Sequence, residues 1–195
     1  MMKLSRSECP NWLIEKAVEW TRRWTRKVNN PKTKNNWDWY DVEGISTNQK
    51  LLPLLLFDTK HHCSYCDKRP IRVEEIDHFK PKVEHPNDAF SWENLFVVCK
   101  DCNFLKLNDF SELILKPDEV EYEFDKYFLY NDFDGLLEPK GEEDSIEYVR
   151  AKETIRKLKL NEKGLPEARK LISNNKTIFQ NYNIEEIPYR FIFAE

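Results

Sequence analysis

The sequence predicts a mostly helical α+β protein in which a small strand, loop, strand, helix unit lies between helical extensions. Three observations lead there. Two C-x-x-C pairs, Cys63/Cys66 and Cys99/Cys102, bracket a stretch of under forty residues. Inside that stretch "RVEEIDHF" and "NLFVVC" are short β-type runs separated by a polar loop, and "CKDCNFLKLN" opens a short helix. On both sides, apolar residues recur at the three- and four-residue spacing of amphipathic helices.

Taken in order, Leu13, Ala17, Trp20, Trp24 and Val28 line one side of a helix over residues 11–28, with Arg22, Arg23, Arg26 and Lys27 on the other. Trp20 and Trp24 are read as core, base stacking being the alternative. "VNNPKTKNNWDWYDVEG" reads as a loop, and a second helix includes the leucines around Pro53 and delivers the chain to Cys63. After the two-strand unit comes the acidic stretch of residues 116–144, read as a solvated surface. "DSIEYVRAKETIRKLKLN" then places Ile146, Val149, Ile155 and Leu158 on a helical face, with Asp144 or Ser145 as N-cap. "LPEARKLISNNKTIFQNY" is expected to form one more helix. No linker is visible, so residues 1–60, 61–110 and 111–195 are expected to form one compact unit.

Two C-x-x-C pairs can converge on one ion and complete the tetrahedral thiolate shell that Zn²⁺ accepts. A redox pair or inert buried thiols are the competing readings, but redox chemistry needs one pair and a βαβ context that is missing here. His61 or His62 can in principle replace a cysteine, although Cys63 is better spaced to pair with Cys66. The fifth cysteine, Cys9, reads as a small apolar residue.

Composition narrows the function further. The net charge of -4 does not announce a nucleic-acid binder, yet the signs are segregated: acids crowd residues 116–144, while Lys80, Lys82, Lys100 and Lys106 surround the cysteine segment. Four scattered glycines form no phosphate-cradling loop, which excludes an ATPase or dinucleotide enzyme on this chain. "LLPLLLF" is too short to span a bilayer, so a cytoplasmic protein without membrane contact is expected. Reducing conditions there keep thiols free for metal.

The dipeptide Asp77-His78 carries the chemistry. Hydrolysing a phosphodiester requires a base to activate water and a cation to stabilise the leaving oxygen. His78 can be the base, and Asp77 can ligate a hard cation such as Mg²⁺ or Mn²⁺. Adjacent side chains of a strand point in different directions, so the pair can address two sides of one phosphate. Asn103 can complete the cation site from its helix, and Asn94 can hydrogen-bond the loop carrying His78 and fix the ring. Alone, either asparagine is an ordinary turn or cap residue.

Together, "CSYC", "EIDHFKPK", "WENLFVVCKDCN" and the following "LK" resemble the HNH endonucleases with a zinc-bound ββα-metal core, over about residues 63–108. The resemblance implies His78 as general base, Asn94 as the residue orienting it, and Asp77 with Asn103 at a catalytic Mg²⁺ or Mn²⁺. It also implies a structural zinc on the four cysteines, phosphate contacts from Lys80, Lys82 and Lys106, and a nucleic-acid substrate, DNA first. The helical lead-in, "HFKPK" and "TIRKLKLNEKGLPEARK" are similar to the HNH nuclease subunit of the Septu antiphage systems, also found beside retrons, which works with a separate ATPase. Two rivals stand beside this reading: a non-catalytic, zinc-dependent nucleic-acid-binding module, and a scaffold held by an ATPase.

Overall fold

A computed structural model describes residues 1–193. Its centre is the antiparallel pair β3 (Glu74–His78) and β4 (Leu95–Cys99), in register from Glu74 opposite Cys99 to His78 opposite Leu95. Every residue of β4 is buried. That continuous apolar run suits a strand covered on both faces, and helices α2 (Thr47–Thr59) and α3 (Lys100–Lys106) both pack on the pair. Because α3 follows β4 without a break, the strand, loop, strand, helix order expected from sequence is present, and the fold is a mostly helical α+β arrangement.

Helix α1 spans Asn11–Val28, as the periodicity predicts, and buries Leu13, Trp20 and Trp24. The indole of Trp24 donates to the Lys82 carbonyl at 2.7 Å, and that of Trp92 donates to the Ser7 carbonyl at 2.9 Å. These bonds clamp the N-terminal segment onto the loop between β3 and β4. Pro53 sits inside α2. The stretch read as loop contains a small hairpin, β1 (Asp41–Val42) with β2 (Ile45–Ser46). Its turn puts Glu43 and Gly44 at φ of 56° and 79°, the pair of positive angles a tight hairpin requires and glycine tolerates.

The acidic stretch is not simply a solvated surface. It carries the short helix α4 (Phe124–Tyr127) and the hairpin β5 (Phe128–Tyr130) with β6 (Leu137–Pro139). Tyr122, Phe124, Tyr127, Phe128 and Leu137 point inward, while carboxylates meet cations outside, as in Arg150 with Glu119 at 2.7 Å. Helix α5 (Ile146–Lys157) starts on the Ser145 cap, whose hydroxyl accepts from the Tyr148 amide. Its buried face matches the expected one in part: Leu158 is buried and Ile155 packs against the core, but Ala151 and Thr154 take the innermost places and Ile146 is 57% exposed. Small residues win there because Thr154 must approach closely enough to accept the Leu115 amide at 2.8 Å. The final helix is also shorter than expected. Helix α6 covers Leu165–Asn174, and only a 3₁₀ turn, Lys176–Phe179, follows the Asn174-Asn175 pair.

The chain then returns to the first cysteine knuckle. Arg190 pairs with buried Asp67 at 2.6 Å, the Tyr189 amide donates to the Asp67 carbonyl at 2.8 Å, and His62 Nε2 donates to the Ile187 carbonyl at 2.8 Å. No helix among the described residues is long and apolar enough to cross a membrane.

Candidate active site

Four buried thiols meet at one end of the ββα unit. Cys63 and Cys66 lie in the turn after α2, Cys99 ends β4 and Cys102 lies in α3; their sulfurs all fall within 4.8 Å of one another. The Cys66 and Cys99 sulfurs are 3.8 Å apart, close to the edge of a tetrahedron with metal–sulfur bonds of about 2.3 Å. Sulfur contacts with Cys63, Cys66 and Cys99, reinforced by burial, hold the Cys102 thiol well above its ordinary range. The same contacts push the Cys99 thiol far down, so the cluster can hold one thiolate by itself, and a cation would offset the charge of the others. The donor set fits a structural Zn²⁺ with no position left for water. His62 stands outside it, engaged with backbone carbonyls.

The same unit opens into a cleft of about 440 Å³ lined by Asp77, His78 and Asn103, with Glu75, Lys82 and Lys100 around them. Strand alternation puts Glu75 and Asp77 on one face of β3. Asn103 donates its amide nitrogen to Glu75 Oε2 at 2.5 Å. A carboxylate can only accept, so this bond fixes the amide with its oxygen turned away from Glu75. Asp77 is divided in the same way. Its Oδ2 receives the Tyr65 hydroxyl at 2.6 Å and the Lys106 ammonium at 2.9 Å, whereas Oδ1 has no protein donor among the described residues. Burial raises the Asp77 pKa and Lys106 and Tyr65 oppose it. Asp77 and Asn103 both line this cleft, and a carboxylate beside an amide is a donor pair that suits a hard divalent cation.

His78 is buried, with its ring stacked on Trp39 at 5.6 Å between centroids and edge-on to Trp37 at 4.9 Å. Its Nε2 lies 2.9 Å from the Ala89 carbonyl, so that nitrogen carries the proton and Nδ1 keeps the lone pair. Burial, followed by the charge of Lys82, lowers its pKa to about 3, which leaves the imidazole neutral. Asn94 acts one step away. Its amide accepts from the Lys80 nitrogen at 2.7 Å and donates to the Lys80 and Asp88 carbonyls at 3.0 Å. It thus staples the loop that presents Ala89, while Ala89 itself orients the ring.

The lysines separate into three kinds. Lys82 lines the cleft, as expected of a phosphate contact, and lies over the Trp37 ring. Lys80 does not: it faces a different depression, beside Phe79 and Asn94, and pairs with Glu112 at 3.7 Å. Lys106 is also displaced from its expected role. Its side chain is 0% exposed, held by Asp77 and by the His78 carbonyl at 2.9 Å, because a long aliphatic stem can be buried when the ammonium finds a carboxylate. Lys106→Ala would leave Asp77 buried without its cation and is expected to cost about 3–5 kcal/mol of stability. Urea denaturation measures this, and a loss under about 1 kcal/mol would mean that the pair is not the buried anchor described.

Sequence reasoning missed four contributors: Trp37, Trp39, Tyr65 and Glu75. Glu75 had a signal, since period-two alternation sets it beside Asp77. Tyr65 and the two tryptophans had none, because tertiary packing brings them to the site from a turn and a loop.

The cleft groups and the thiol cluster belong to one contiguous segment. Residues 63–109 match the HNH endonuclease family model. The HNH segment takes in β3, β4, α3 and all four clustered cysteines, and is well under half of the chain. A 52-residue stretch is 38% identical to the Septu protein PtuB of Bacillus thuringiensis, covering 25% of this chain and 20% of that protein. The chain therefore spans about a fifth of the length of the curated relative it matches.

Proposed function

We propose that this protein is a metal-dependent endonuclease that hydrolyses nucleic-acid phosphodiester bonds, DNA first, as the nuclease of a two-component antiphage system with an ATPase partner. The observation that carries the nuclease reading is the convergence of Asp77, His78 and Asn103 on one cleft within the HNH segment. The likeness to PtuB supports the defence setting, and the ATPase follows from the division of labour that the resemblance implies.

In this reading, Nδ1 of His78 takes a proton from the attacking water while the bond from Nε2 to Ala89 keeps the tautomer fixed. A phosphate anion entering beside the ring raises its basicity, since it favours the protonated imidazole and offsets the charge of Lys82. Water oxygen bonds to phosphorus, the phosphorus bond to the leaving oxygen breaks, and Lys82 and Lys100 help to neutralise the phosphate. A Mg²⁺ or Mn²⁺ ion held by Asp77 and Asn103 would stabilise the leaving oxygen.

One observation favours the non-catalytic, nucleic-acid-binding alternative: Asp77 is already paired with Lys106 and Tyr65, as a purely structural aspartate would be. Incubating the zinc-loaded protein with labelled DNA and RNA, with and without a coexpressed ATPase, separates the two. EDTA-sensitive cleavage restored by Mg²⁺ is the expected result. Binding without cleavage in every combination would leave the alternative standing.

A further inference from the structure

Two large apolar side chains stand in solvent at the edge of the cleft, where a hydrolytic site for a charged backbone has no need of them. Phe104 is 62% exposed and Leu107 is 68% exposed, and both line the same cavity as Asp77, His78 and Asn103. Phe104 directly follows Asn103 on α3, and Leu107 caps that helix. Leu107 has φ 49° and ψ -122°, a region that glycine occupies freely and a branched residue enters at a cost. Neither backbone preference nor burial accounts for a leucine there.

Cations surround the pair. Lys163 Nζ lies 3.8 Å from the centroid of the Phe104 ring and occupies one of its faces. Lys82 and Lys100 line the same cleft. An aromatic face among lysines is the arrangement on which unpaired bases stack while their phosphates are neutralised. In a continuous duplex the bases are stacked on one another and offer no free face to a side chain.

We propose that Phe104 and Leu107 form a base-stacking shelf, so that the site takes nucleic acid whose bases are unpaired next to the scissile phosphate. The proposal rests on nucleic acid being the occupant of the cleft. Continuity with the hydrolytic groups favours that occupant over a protein partner, whose covering of Phe104 would also close the cleft. The free face of the Phe104 ring takes one base, Leu107 fills the gap opened beside it, and Lys163 strengthens the stack from the opposite face.

Binding is read by fluorescence anisotropy on the His78→Ala protein, so that no substrate is consumed. The probes are a labelled single-stranded oligonucleotide without self-complementarity and the same strand annealed to its full complement as a blunt duplex. The unmodified shelf should bind the single strand more tightly. Phe104→Ala should weaken that binding roughly 5- to 100-fold and change duplex binding by no more than about twofold. Phe104→Trp should restore it. Leu107→Gly should keep or raise thermal stability while weakening single-strand binding, which separates the shelf from a folding role.

Equal losses on both probes, no loss, no binding of either probe, or a tryptophan variant as weak as alanine would each overturn the shelf. So would a Phe104→Ala protein that loses a coexpressed ATPase and keeps its nucleic acid. The nuclease reading fails separately. Wild-type protein that shows the expected binding pattern but cleaves nothing removes the reaction and leaves the shelf, whereas cleavage without strand discrimination does the reverse.

Discussion

His78→Ala is expected to reduce phosphodiester cleavage by roughly 10²- to 10⁴-fold, the usual share of a positioned general base, while zinc content and nucleic-acid affinity stay near wild type. The ring occupies a prepared place: Ala89 holds its Nε2, Trp39 stacks on it, Trp37 meets it edge-on, and Nδ1 has no protein partner among the described residues. Removing it would delete the proposed acceptor for the water proton but leave Lys82, Lys100, Asp77 and Asn103 in place. It also opens a void between the tryptophans and orphans the Ala89 carbonyl, so a stability loss must be measured beside the rate. Asn103→Ala should act differently, raising the Mg²⁺ concentration needed for half-maximal cleavage as well as lowering the rate. Near-normal cleavage by His78→Ala, in preparations free of contaminating nuclease, would reject His78 as the base.

The parts of this site that were legible in sequence are those fixed by local rules. Two C-x-x-C pairs can close on one metal by their spacing alone, and strand alternation orders Glu75, Asp77 and His78 before any partner strand is known. Helix α1 was legible to its ends because its apolar stripe is strictly periodic. Lys106 was not. Whether a lysine three residues beyond Asn103 reaches solvent or folds back under the strand depends on a cavity that the strand, the helix and Tyr65 build together. The face of α5 was legible only at Ile155 and Leu158, for a related reason. Periodicity ranks residues by hydrophobicity, but close packing at Ala151 and Thr154 selected small size and a hydroxyl bond, leaving Ile146 outside. Trp37 and Trp39 sit in a stretch without periodicity, and only the fold carries them to His78.

The largest loss of stability is expected from the thiol cluster. Cys66→Ser or Cys102→Ser replaces a soft thiolate with a hydroxyl that Zn²⁺ binds poorly, and the variant should be unfolded or aggregated where the wild type is soluble. The magnitudes decide this. Binding at structural zinc sites contributes about 10–16 kcal/mol in small zinc-finger peptides, whereas a whole domain is stable by only about 5–15 kcal/mol. Local structure points the same way. Helix α3 has seven residues, too few to persist alone, and it is fixed at its start by Cys99 and within its first turn by Cys102. Asn103 follows Cys102 directly, and Lys106 lies one turn further on beneath Asp77. Losing the metal would therefore release the cation donor, the Asp77 counter-ion and the Phe104 ring in one event. On the opposite side, Asp67 beside Cys66 anchors Arg190, so the C-terminal segment would loosen with the knuckle. Elemental analysis should find about one zinc per chain, and chelation strong enough to remove it should abolish cooperative unfolding together with cleavage. A metal-free preparation with unchanged melting behaviour would show that the four thiols hold the fold by packing alone.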